Sequence, residues 1–402
     1  MKQLLTFTLT LLLLTACKTQ QKEDIVQQNF DFAARQLTLA MIEVENALAE
    51  DTTAARRMLF SPRSLTHDGK LILVASRDWT SGFFPGSLWF MYEYTRDKKW
   101  EAAARKFTAP IEREKTNGVT HDMGFKVYCS FGNGFRLTND PEYKDILLES
   151  AYTLITRFNP ITRAIRSWDH STAKWGNPVI IDNMMNLELL FWAFQESGDS
   201  TFYNIAVNHA ITTMKNHFRP DFGTYHVVDF NPTTGEVIAR HTHQGYAHES
   251  TWSRGQAWAL YGYTMCYRET EKPEFLELAK NIANFIFTHS NLPEDLIPYW
   301  DFDAPEIPNE PRDVSAATIT ASALYELSTF GTEKSVQYKK WADTIIENLT
   351  NSYRAPEGEY RGFLLTQSTG AAPSNLEVSV PLSYADYYFL EALLRKKELE
   401  EI

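Results

Sequence analysis

The feature that most constrains the fold of this chain is an alternation of helix-length apolar segments with two kinds of connection. Apolar residues recur about every 3.6 positions, the period of an amphipathic helix, and capping residues mark the ends of the segments. Short connections such as Ser197-Gly198-Asp199 indicate antiparallel helix pairs. Long connections rich in proline, glycine and aromatic residues separate one pair from the next.

About twelve helices in six such pairs predict an all-α fold, an (α/α)6 barrel in which an inner ring of helices surrounds a cavity. The long loops would then gather at one end of the ring. A helical solenoid or a two-domain bundle is the alternative. The predicted helices lie near residues 25–49, 83–96, 98–113, 121–135, 140–157, 182–197, 199–217, 252–269, 273–289, 314–330, 335–352 and 380–396.

Two weak strand patterns, at residues 224–230 and 359–365, predict small β-hairpins within the long loops. No linker or low-complexity stretch divides the chain after its N-terminal segment. Residues 25–402 are therefore expected to form a single domain.

The first seventeen residues, MKQLLTFTLTLLLLTAC, have a basic start and an apolar run that is too short to span a bilayer. They resemble a bacterial lipoprotein signal, with Cys17 as the lipidated residue and residues 18–24 as a polar tether. An ordinary secretory signal is the alternative. Either way we expect export, and the lipoprotein interpretation places the protein on a Gram-negative membrane, facing the periplasm or on the cell surface, attached only through its lipid.

The charge distribution argues against nucleic acid as a partner, because the formal net charge is −12 and no segment concentrates Lys and Arg. A small acidic ligand could still be held by a few local arginines. Beyond Cys17, only Cys129 and Cys266 remain, which is too few for a disulfide framework. No Cys and His spacing fits a zinc site.

Two carboxylates stand on the first turns of predicted inner helices. Asp182 lies in "VIIDNMMNLELLFWAF", a run that is apolar on all sides and therefore typical of a buried helix. Asp122 lies in "THDMGF", after the possible N-cap Thr120. Helix capping would explain either residue alone. Burial at the mouth of a cavity would instead raise the pKa of Asp182 toward values useful for proton transfer.

A segment rich in His, Trp and Arg spans residues 226–270. The spacing of its four histidines fits no known metal pattern, so we expect them to form hydrogen bonds with a polyhydroxylated ligand. Arg254 is the candidate for binding a carboxylate through two hydrogen bonds. Trp79, which precedes a predicted helix in "SRDWTSGFFPGSLW", could line a sugar-sized pocket. The histidines of the segment are His226, His241, His243 and His248.

Five stretches occur in order from about residue 30 to the C-terminus: "SRDWTSGFFPGSLW", "THDMGF", "VIIDNMMNLELLFWA", "HQGYAHESTWSRGQAWALYGY" and "YADYYFLEALLR". Together they resemble the unsaturated glucuronyl hydrolases, glycoside hydrolase family 88. The resemblance implies an (α/α)6 barrel that acts downstream of a polysaccharide lyase, on oligosaccharides whose non-reducing end is a 4,5-unsaturated uronic acid. It implies no metal or organic cofactor.

By the same resemblance, the enzyme hydrates the C4=C5 double bond instead of attacking the glycosidic carbon. Asp182 would donate a proton to C4 and activate the water that attacks C5, and Asp122 would be the second essential carboxylate. The substrate contacts implied by the matching positions are Trp79, His121, His226, Gln244, Arg254 and Trp258.

The sequence leaves more than one substrate subclass and more than one type of function open. His248 stands in "HQGYAHES" where the family pattern leads us to expect a small acid, and "LLTQSTGAAPSNLEVSV" matches no aglycone-reading pattern. Glycosaminoglycan, ulvan and other uronate-containing fragments are all candidates. A conventional inverting glycosidase using Asp122 and Asp182 is a second hypothesis. A glycan-binding lipoprotein without turnover is a third.

Overall fold

The computed structural model describes residues 24–170 and 174–401. Its α-helices begin where the sequence supplies capping residues: Asp97, Asp140, Asp199 and Asp313 each accept a hydrogen bond from a backbone N–H of the first helical turn. The α-helices of the described residues are α1 (Ile25–Glu50), α2 (Ala54–Arg57), α3 (Phe83–Thr95), α4 (Lys98–Thr108), α5 (Asn133–Thr138), α6 (Pro141–Ile155), α7 (Leu187–Ser197), α8 (Ser200–Asn216), α9 (Ser253–Thr270), α10 (Pro273–Thr288), α11 (Val314–Ser328), α12 (Ser335–Asn348) and α13 (Ser383–Glu401).

The helices form two concentric rings, which confirms the predicted (α/α)6 barrel. The inner ring runs from α3 through the segments that end in α5 and α7, continues through α9 and α11 to α13, and closes where α13 packs on α3. The outer ring comprises α4, α6, α8, α10, α12 and α1. Inner helices are buried on almost every side, and α9 and α11 show this most clearly. This burial explains why their sequences lack a polar face.

Four predicted helices change type along their length. Residues 335–352 form α12 followed by a π-helix, Leu349–Tyr353. Residues 98–113 form α4 followed by a 3₁₀ helix, Ala109–Thr116. Residues 121–135 form a π-helix, Gly124–Gly132, that continues into α5. Residues 182–197 begin as a 3₁₀ helix, Ile181–Asn186, before α7. The two segments that carry Asp122 and Asp182 therefore depart from α-helical geometry at their first turns, a departure often associated with functional sites.

The β-strands are confined to the loops, as expected, and form two hairpins and one three-stranded sheet. The predicted strand at 224–230 corresponds to β6, which pairs antiparallel with both β5 and β7. The strands of the described residues are β1 (Leu59–Leu65), β2 (Leu71–Ala75), β3 (Phe158–Asn159), β4 (Ala164–Ile165), β5 (Asn177–Ile180), β6 (Val227–Phe230) and β7 (Val237–His241).

The predicted strand at 359–365 is wrong. Residues Tyr360–Gly362 form a short 3₁₀ turn in which all three residues have positive φ, which no strand can contain. The turn packs against α1 so closely that a Cβ on Gly362 would lie 2.4 Å from the backbone N of Ala40. The last helix also begins later than predicted, at Ser383, because the backbone of Val380 pairs with Ser368.

Residues 1–23 are outside the described part of the chain, and so are the predicted signal, Cys17 and most of the predicted tether. Within the described part, no helix is both long enough and apolar enough to cross a membrane.

Candidate active site

The six inner segments all begin at the same end of the barrel, so the long loops that precede them surround one opening. These loops and first turns carry nearly all of the predicted site residues. Trp79 precedes α3, Asp122 precedes the π-helix, Asp182 lies in the 3₁₀ turn before α7, and Arg254 lies in the first turn of α9.

Asp182 is buried at this opening. Its side chain is only 11% exposed, and its Oδ2 has no hydrogen-bond partner among the described residues. Burial raises the pKa of Asp182 to about 7; the positive charge of Arg254 opposes that rise and the negative charge of Asp122 adds to it. No side-chain cap forms at the start of its 3₁₀ helix. A capping role therefore does not explain Asp182, and its protonation state changes near neutral pH.

His226 faces Asp182 because of the register of the three-stranded sheet. Ile180 of β5 pairs with Val227 of β6, and Ile181 N–H donates to the carbonyl of His226 at 3.0 Å. One residue further along, the carboxylate of Asp182 lies 3.7 Å from His226, measured from Oδ2 to Nε2. The sheet therefore brings together two residues that are far apart in sequence.

The tautomer of His226 follows from its other ring nitrogen. Nδ1 accepts backbone N–H groups from His243 at 3.1 Å and Gln244 at 3.2 Å, so the proton of the neutral ring resides on Nε2. Burial lowers the pKa of His226 well below its usual range, which keeps the ring neutral. An Nε2–H donor is therefore directed toward Asp182.

Asp122 sits beside the same opening and is more exposed, at 20% of its side chain. Its Oδ2 accepts a hydrogen bond from the Thr120 hydroxyl at 2.7 Å, and its Oδ1 lies 3.2 Å from Nε2 of His121. Burial lowers the pKa of His121, so this ring is also neutral. Asp122 is thus oriented by two neighbours, whereas Oδ2 of Asp182 has no hydrogen-bond partner among the described residues.

The segments bearing the two carboxylates are joined by Asn186. Its Oδ1 accepts the backbone N–H groups of Gly124 at 2.8 Å and Phe125 at 3.3 Å. A Cβ on Gly124 would lie 2.7 Å from the Cα of Asn186. Only glycine allows this close approach, which fixes the position of the Asp122 segment against the Asp182 segment.

Arg254 is fully buried and most of its donors are already used. Nη1 donates to Asp313 at 2.8 Å and to the carbonyl of Thr369 at 2.5 Å, and Nη2 donates to the carbonyl of Gly370 at 2.6 Å. Only Nε lacks a partner among the described residues. Arg254 therefore anchors the loop around residue 370 to α9 and α11, and the Nε–H and the second N–H of Nη2 are left for a substrate oxygen.

Comparison with known proteins identifies the family. A family model described as Glycosyl Hydrolase Family 88 matches residues 53–286. An unsaturated glucuronyl hydrolase of Formosa agariphila is 50% identical over 341 residues, which cover 84% of this chain and 85% of that protein. The chain belongs to glycoside hydrolase family 88.

Two further similarities agree with membership of family 88. An unsaturated chondroitin disaccharide hydrolase of Streptococcus agalactiae serotype III is 30% identical over 371 residues, covering 89% of this chain and 92% of that protein. The crystal structure of an unsaturated glucuronyl hydrolase specific for heparin has a TM-score of 0.85 at 45% identity, and covers 92% of this chain and 98% of that chain. The expectations of an enzyme of the unsaturated glucuronyl hydrolase type and of an α/α barrel are confirmed.

The two predicted tryptophans occupy different depths in this family 88 barrel. Trp258 is fully buried, with its ring centroid 5.1 Å from that of Phe125, and its Nε1 has no partner among the described residues. Trp79 is half-buried and lies 5.0 Å from the ring of Tyr384. Trp79 is thus the more accessible of the two for stacking on a sugar.

The sequence interpretation missed Tyr384 and Trp168. Tyr384, on α13, is fully buried beside Trp79 and Arg254, and its hydroxyl has no partner within the described ranges. Trp168 is half-buried, and its ring centroid lies 6.1 Å from that of His226. Tyr384 stands in the stretch "YADYYFLEALLR" and Trp168 lies in the long connection before the predicted helix at residues 182–197, but nothing in their local sequence separates them from ordinary core aromatics.

Gln244 is half-buried, and its side-chain amide donates to the Gly370 carbonyl at 3.1 Å. His248 lies at the opening, where its Nε2 is 3.3 Å from Nδ1 of His241. No group of three or more His, Cys, Asp or Glu side chains in residues 24–170 and 174–401 is arranged to hold a metal ion.

Proposed function

We propose that this family 88 enzyme removes the 4,5-unsaturated uronic acid from the non-reducing end of lyase-generated oligosaccharides by hydrating the C4=C5 double bond. The observation that supports this most strongly is Asp182, a buried carboxyl whose pKa is raised to about 7 at the mouth of the barrel. Near neutral pH such a group populates both of its protonation states, so one side chain can serve as acid and then as base.

The reaction consumes one water molecule. Protonated Asp182 donates its proton to C4, and positive charge develops at C5 and on the ring oxygen. The resulting carboxylate accepts a proton from the water that attacks C5, which restores the acid. The C5 hemiketal then opens to a 5-keto uronate, and the hemiacetal left at C1 collapses to release the aglycone as an alcohol.

The neighbours of Asp182 suit these two steps. The Nε2–H of His226, 3.7 Å from Oδ2, stabilises the carboxylate once the proton has left. Asp122 contributes negative charge that favours the protonated state of Asp182 before the reaction and stabilises the positive charge at C5. Asp122 therefore favours the acid form of Asp182 before the reaction, and His226 lowers the free energy needed to ionise it.

A conventional inverting glycosidase with Asp122 and Asp182 as its acid and base is the second candidate. Matched disaccharides distinguish the two reactions. A hydratase of the double bond consumes the unsaturated uronide and leaves the saturated uronide intact, whereas an inverting glycosidase also cleaves the saturated uronide. Loss of the ultraviolet absorbance of the double bond is the readout for the first substrate, and release of the aglycone is the readout for both.

For substrate class we propose glycosaminoglycan or ulvan fragments. The similarity to the chondroitin disaccharide hydrolase of Streptococcus agalactiae and to the heparin-specific unsaturated glucuronyl hydrolase supports glycosaminoglycan fragments, and ulvan fragments rest on the family resemblance of the sequence alone. A panel of unsaturated disaccharides that differ in linkage and sulfation would test this proposal. Failure of every member to react would exclude both polymers as sources.

We also propose that Cys17 is lipidated, that the enzyme is held on a membrane facing the periplasm or at the cell surface, and that it works downstream of a polysaccharide lyase. Export with a lipid would place the enzyme where lyase products form. Palmitate labelling of the wild-type chain, and its loss in Cys17→Ala, is the expected result. Secretion of an unlabelled mature chain would favour an ordinary signal peptide.

The third hypothesis, a glycan-binding lipoprotein without turnover, does not agree with membership of family 88, and a protein that only binds sugar has no need for a proton donor such as Asp182. Tight binding of unsaturated disaccharides by the wild-type chain, with no consumption of the double bond, would support it.

A further inference from the structure

Arg63 takes no part in the proposed reaction, yet its side chain contacts loops on two sides of the site. It lies on β1, in the stretch "FSPRSL", and its side chain is only 17% exposed. Two steps along β1, from Pro62 to Ser64, correspond to one step along β2, so Arg63 is an extra residue in its strand. Such a β-bulge redirects a side chain and is common next to active sites.

The guanidinium of Arg63 joins two carboxylates from different loops. Nε donates to Oε1 of Glu377 at 2.6 Å, and Nη2 donates to Oε2 at 2.9 Å, so the two hydrogen bonds fix both the position and the plane of that carboxylate. Nη1 donates to Oδ2 of Asp78 at 2.9 Å. The Glu377 side chain is 4% exposed. Arg63 therefore links the loop before α13 to the loop before α3.

Asp78 fixes the turn that carries Trp79. Its Oδ1 accepts the backbone N–H of Thr80 at 2.9 Å and the Thr80 hydroxyl at 2.6 Å. Its backbone carbonyl accepts the N–H of Ser81 at 3.1 Å. One carboxylate oxygen thus binds the turn and the other binds Arg63, which connects Arg63 to the backbone next to Trp79.

Glu377 lies in a hairpin formed by residues 368–380, which we call the 368–380 hairpin. Ser368 and Val380 exchange two backbone hydrogen bonds, and the N–H of Gly370 donates to the carbonyl of Glu377 at 2.8 Å. A Cβ on Gly370 would lie 2.6 Å from Oε2 of Glu377. The Gly370 peptide therefore packs directly against the residue that Arg63 binds.

The Gly370 peptide in turn orients two predicted substrate contacts. Its carbonyl accepts a hydrogen bond from Nη2 of Arg254 at 2.6 Å and another from the side-chain amide of Gln244 at 3.1 Å. Glu377 has a φ of 54°, which is uncommon for a residue with a side chain, so the backbone alone does not favour this arrangement. The two hydrogen bonds from Arg63 stabilise it.

We infer that Arg63 is a positioning residue for substrate binding. Through one carboxylate it orients Trp79, and through the other it orients Arg254 and Gln244. The inference rests on the proposed function, in which these three side chains contact the substrate. Arg63 acts on affinity through its neighbours and does not need to touch the sugar.

The test measures the affinity of unsaturated disaccharides for the Asp182→Asn enzyme by titration calorimetry, with the disaccharide that binds most tightly as the ligand. Adding Arg63→Met should weaken its binding about five- to tenfold, the effect of weakening one or two hydrogen bonds to the ligand. Arg63→Met also leaves Glu377 buried without its charge partner, so the midpoint of urea denaturation should fall.

The double change Arg63→Met/Glu377→Gln separates positioning from stability. It leaves no unpaired carboxylate in the 368–380 hairpin, so most of the lost stability should return. It also lacks the link between β1 and the hairpin, so the affinity should stay low. Recovery of the parent's affinity together with its stability would overturn the inference.

Arg395→Met is the matched control. The Arg395 side chain is 16% exposed and lies 2.9 Å from Glu326, near the end of α13 that is remote from the opening. This variant should lose stability and still bind the disaccharide within about twofold of the parent. Unchanged affinity in Arg63→Met, or equal weakening by Arg395→Met, would contradict a positioning role.

The results separate this inference from the proposed function. Consumption of the double bond by the wild type, with unchanged affinity in the Arg63 variants, would refute the inference alone. Binding that depends on Arg63, with no consumption of the double bond by the wild type, would refute the proposed function and leave the role of Arg63 in place. Failure of every disaccharide to bind would overturn both.

Discussion

The side-chain oxygen Oδ1 of Asn186 accepts the backbone N–H of Gly124 at 2.8 Å, and so ties the segment that carries Asp122 to the segment that carries Asp182. The contact is possible because Gly124 has no side chain: an added Cβ would meet the Cα of Asn186 at 2.7 Å. The spacing of the two carboxylates therefore depends on one glycine and one amide.

Gly124→Ala tests this dependence. The added methyl must push the two backbone segments apart, which should lower the free energy of unfolding by about 1–3 kcal/mol and reduce kcat more than KM. Urea denaturation and steady-state kinetics measure the two effects. Gly198→Ala, at a helix end with open space around it, is the stability control, and its strain from a positive φ should leave kcat unchanged. Wild-type kcat in Gly124→Ala would show that the spacing is not fixed here.

The stability of the enzyme should depend on pH through Asp182. The pKa of Asp182 is about 7 in the folded state and has its ordinary value of 3.8 in the unfolded state, so the native state binds more protons between these values. Stability should fall as pH rises through this window. Asp182→Asn removes the ionisation and should raise the free energy of unfolding at pH 8 by on the order of 2 kcal/mol relative to its effect at pH 4.

Asp386 also makes stability fall as pH rises, because burial raises its pKa to about 8. It accepts backbone N–H groups of Leu364 and Leu365 and lies outside the proposed chemistry, so its contribution is common to wild type and Asp182→Asn. Identical pH dependence in the two proteins would show that Asp182 ionises normally.

His226 should act on Asp182 through its Nε2–H. Removing the donor in His226→Ala should lower kcat and raise the pKa seen in the kcat profile, because the carboxylate of Asp182 loses a stabilising neighbour. His226→Gln keeps an N–H at a similar reach and should recover part of both effects. A role limited to packing would lower stability without moving the profile.

Arg254 should be as important for folding as for catalysis. Arg254→Met leaves Asp313 buried without its charge partner and should cost about 3–5 kcal/mol of stability. The double variant Arg254→Met/Asp313→Asn should lose much less stability than the sum of the losses in the two single variants, because it contains no uncompensated buried charge. If the two losses of stability measured by urea denaturation were additive, the buried Arg254–Asp313 ion pair would be contradicted. Arg254 would then act only in binding the substrate.

The barrel could be predicted from the sequence because helix pairing is a local property. Caps such as Asp97 and Asp199, together with apolar periodicity, mark the helices one by one, and short connections pair them. The positions of Asp122 and Asp182 followed from the same local signals. The 3₁₀ and π-helical first turns did not, because they arise where inner segments pack together, as at Gly124 and Asn186.

The remaining features could not be predicted because they depend on contacts between residues that are far apart in sequence. The orientation of His226 depends on the β5–β6 register and on amides of residues 243 and 244. The donors of Arg254 are used by Asp313 and by carbonyls more than a hundred residues away. No local pattern encodes either arrangement, so the sequence predicted Arg254 as a carboxylate ligand without revealing its role in anchoring the loop.

The most direct test of the central claim follows oxygen in the reaction. An unsaturated disaccharide is hydrolysed in water enriched in oxygen-18, and the released uronate is analysed by mass spectrometry at early times, before exchange. Hydration by Asp182 predicts the label at C5 and none at C1, with turnover lowered about 10²–10⁴-fold in Asp182→Asn. Label at C1, or near-normal turnover in Asp182→Asn, would contradict the mechanism.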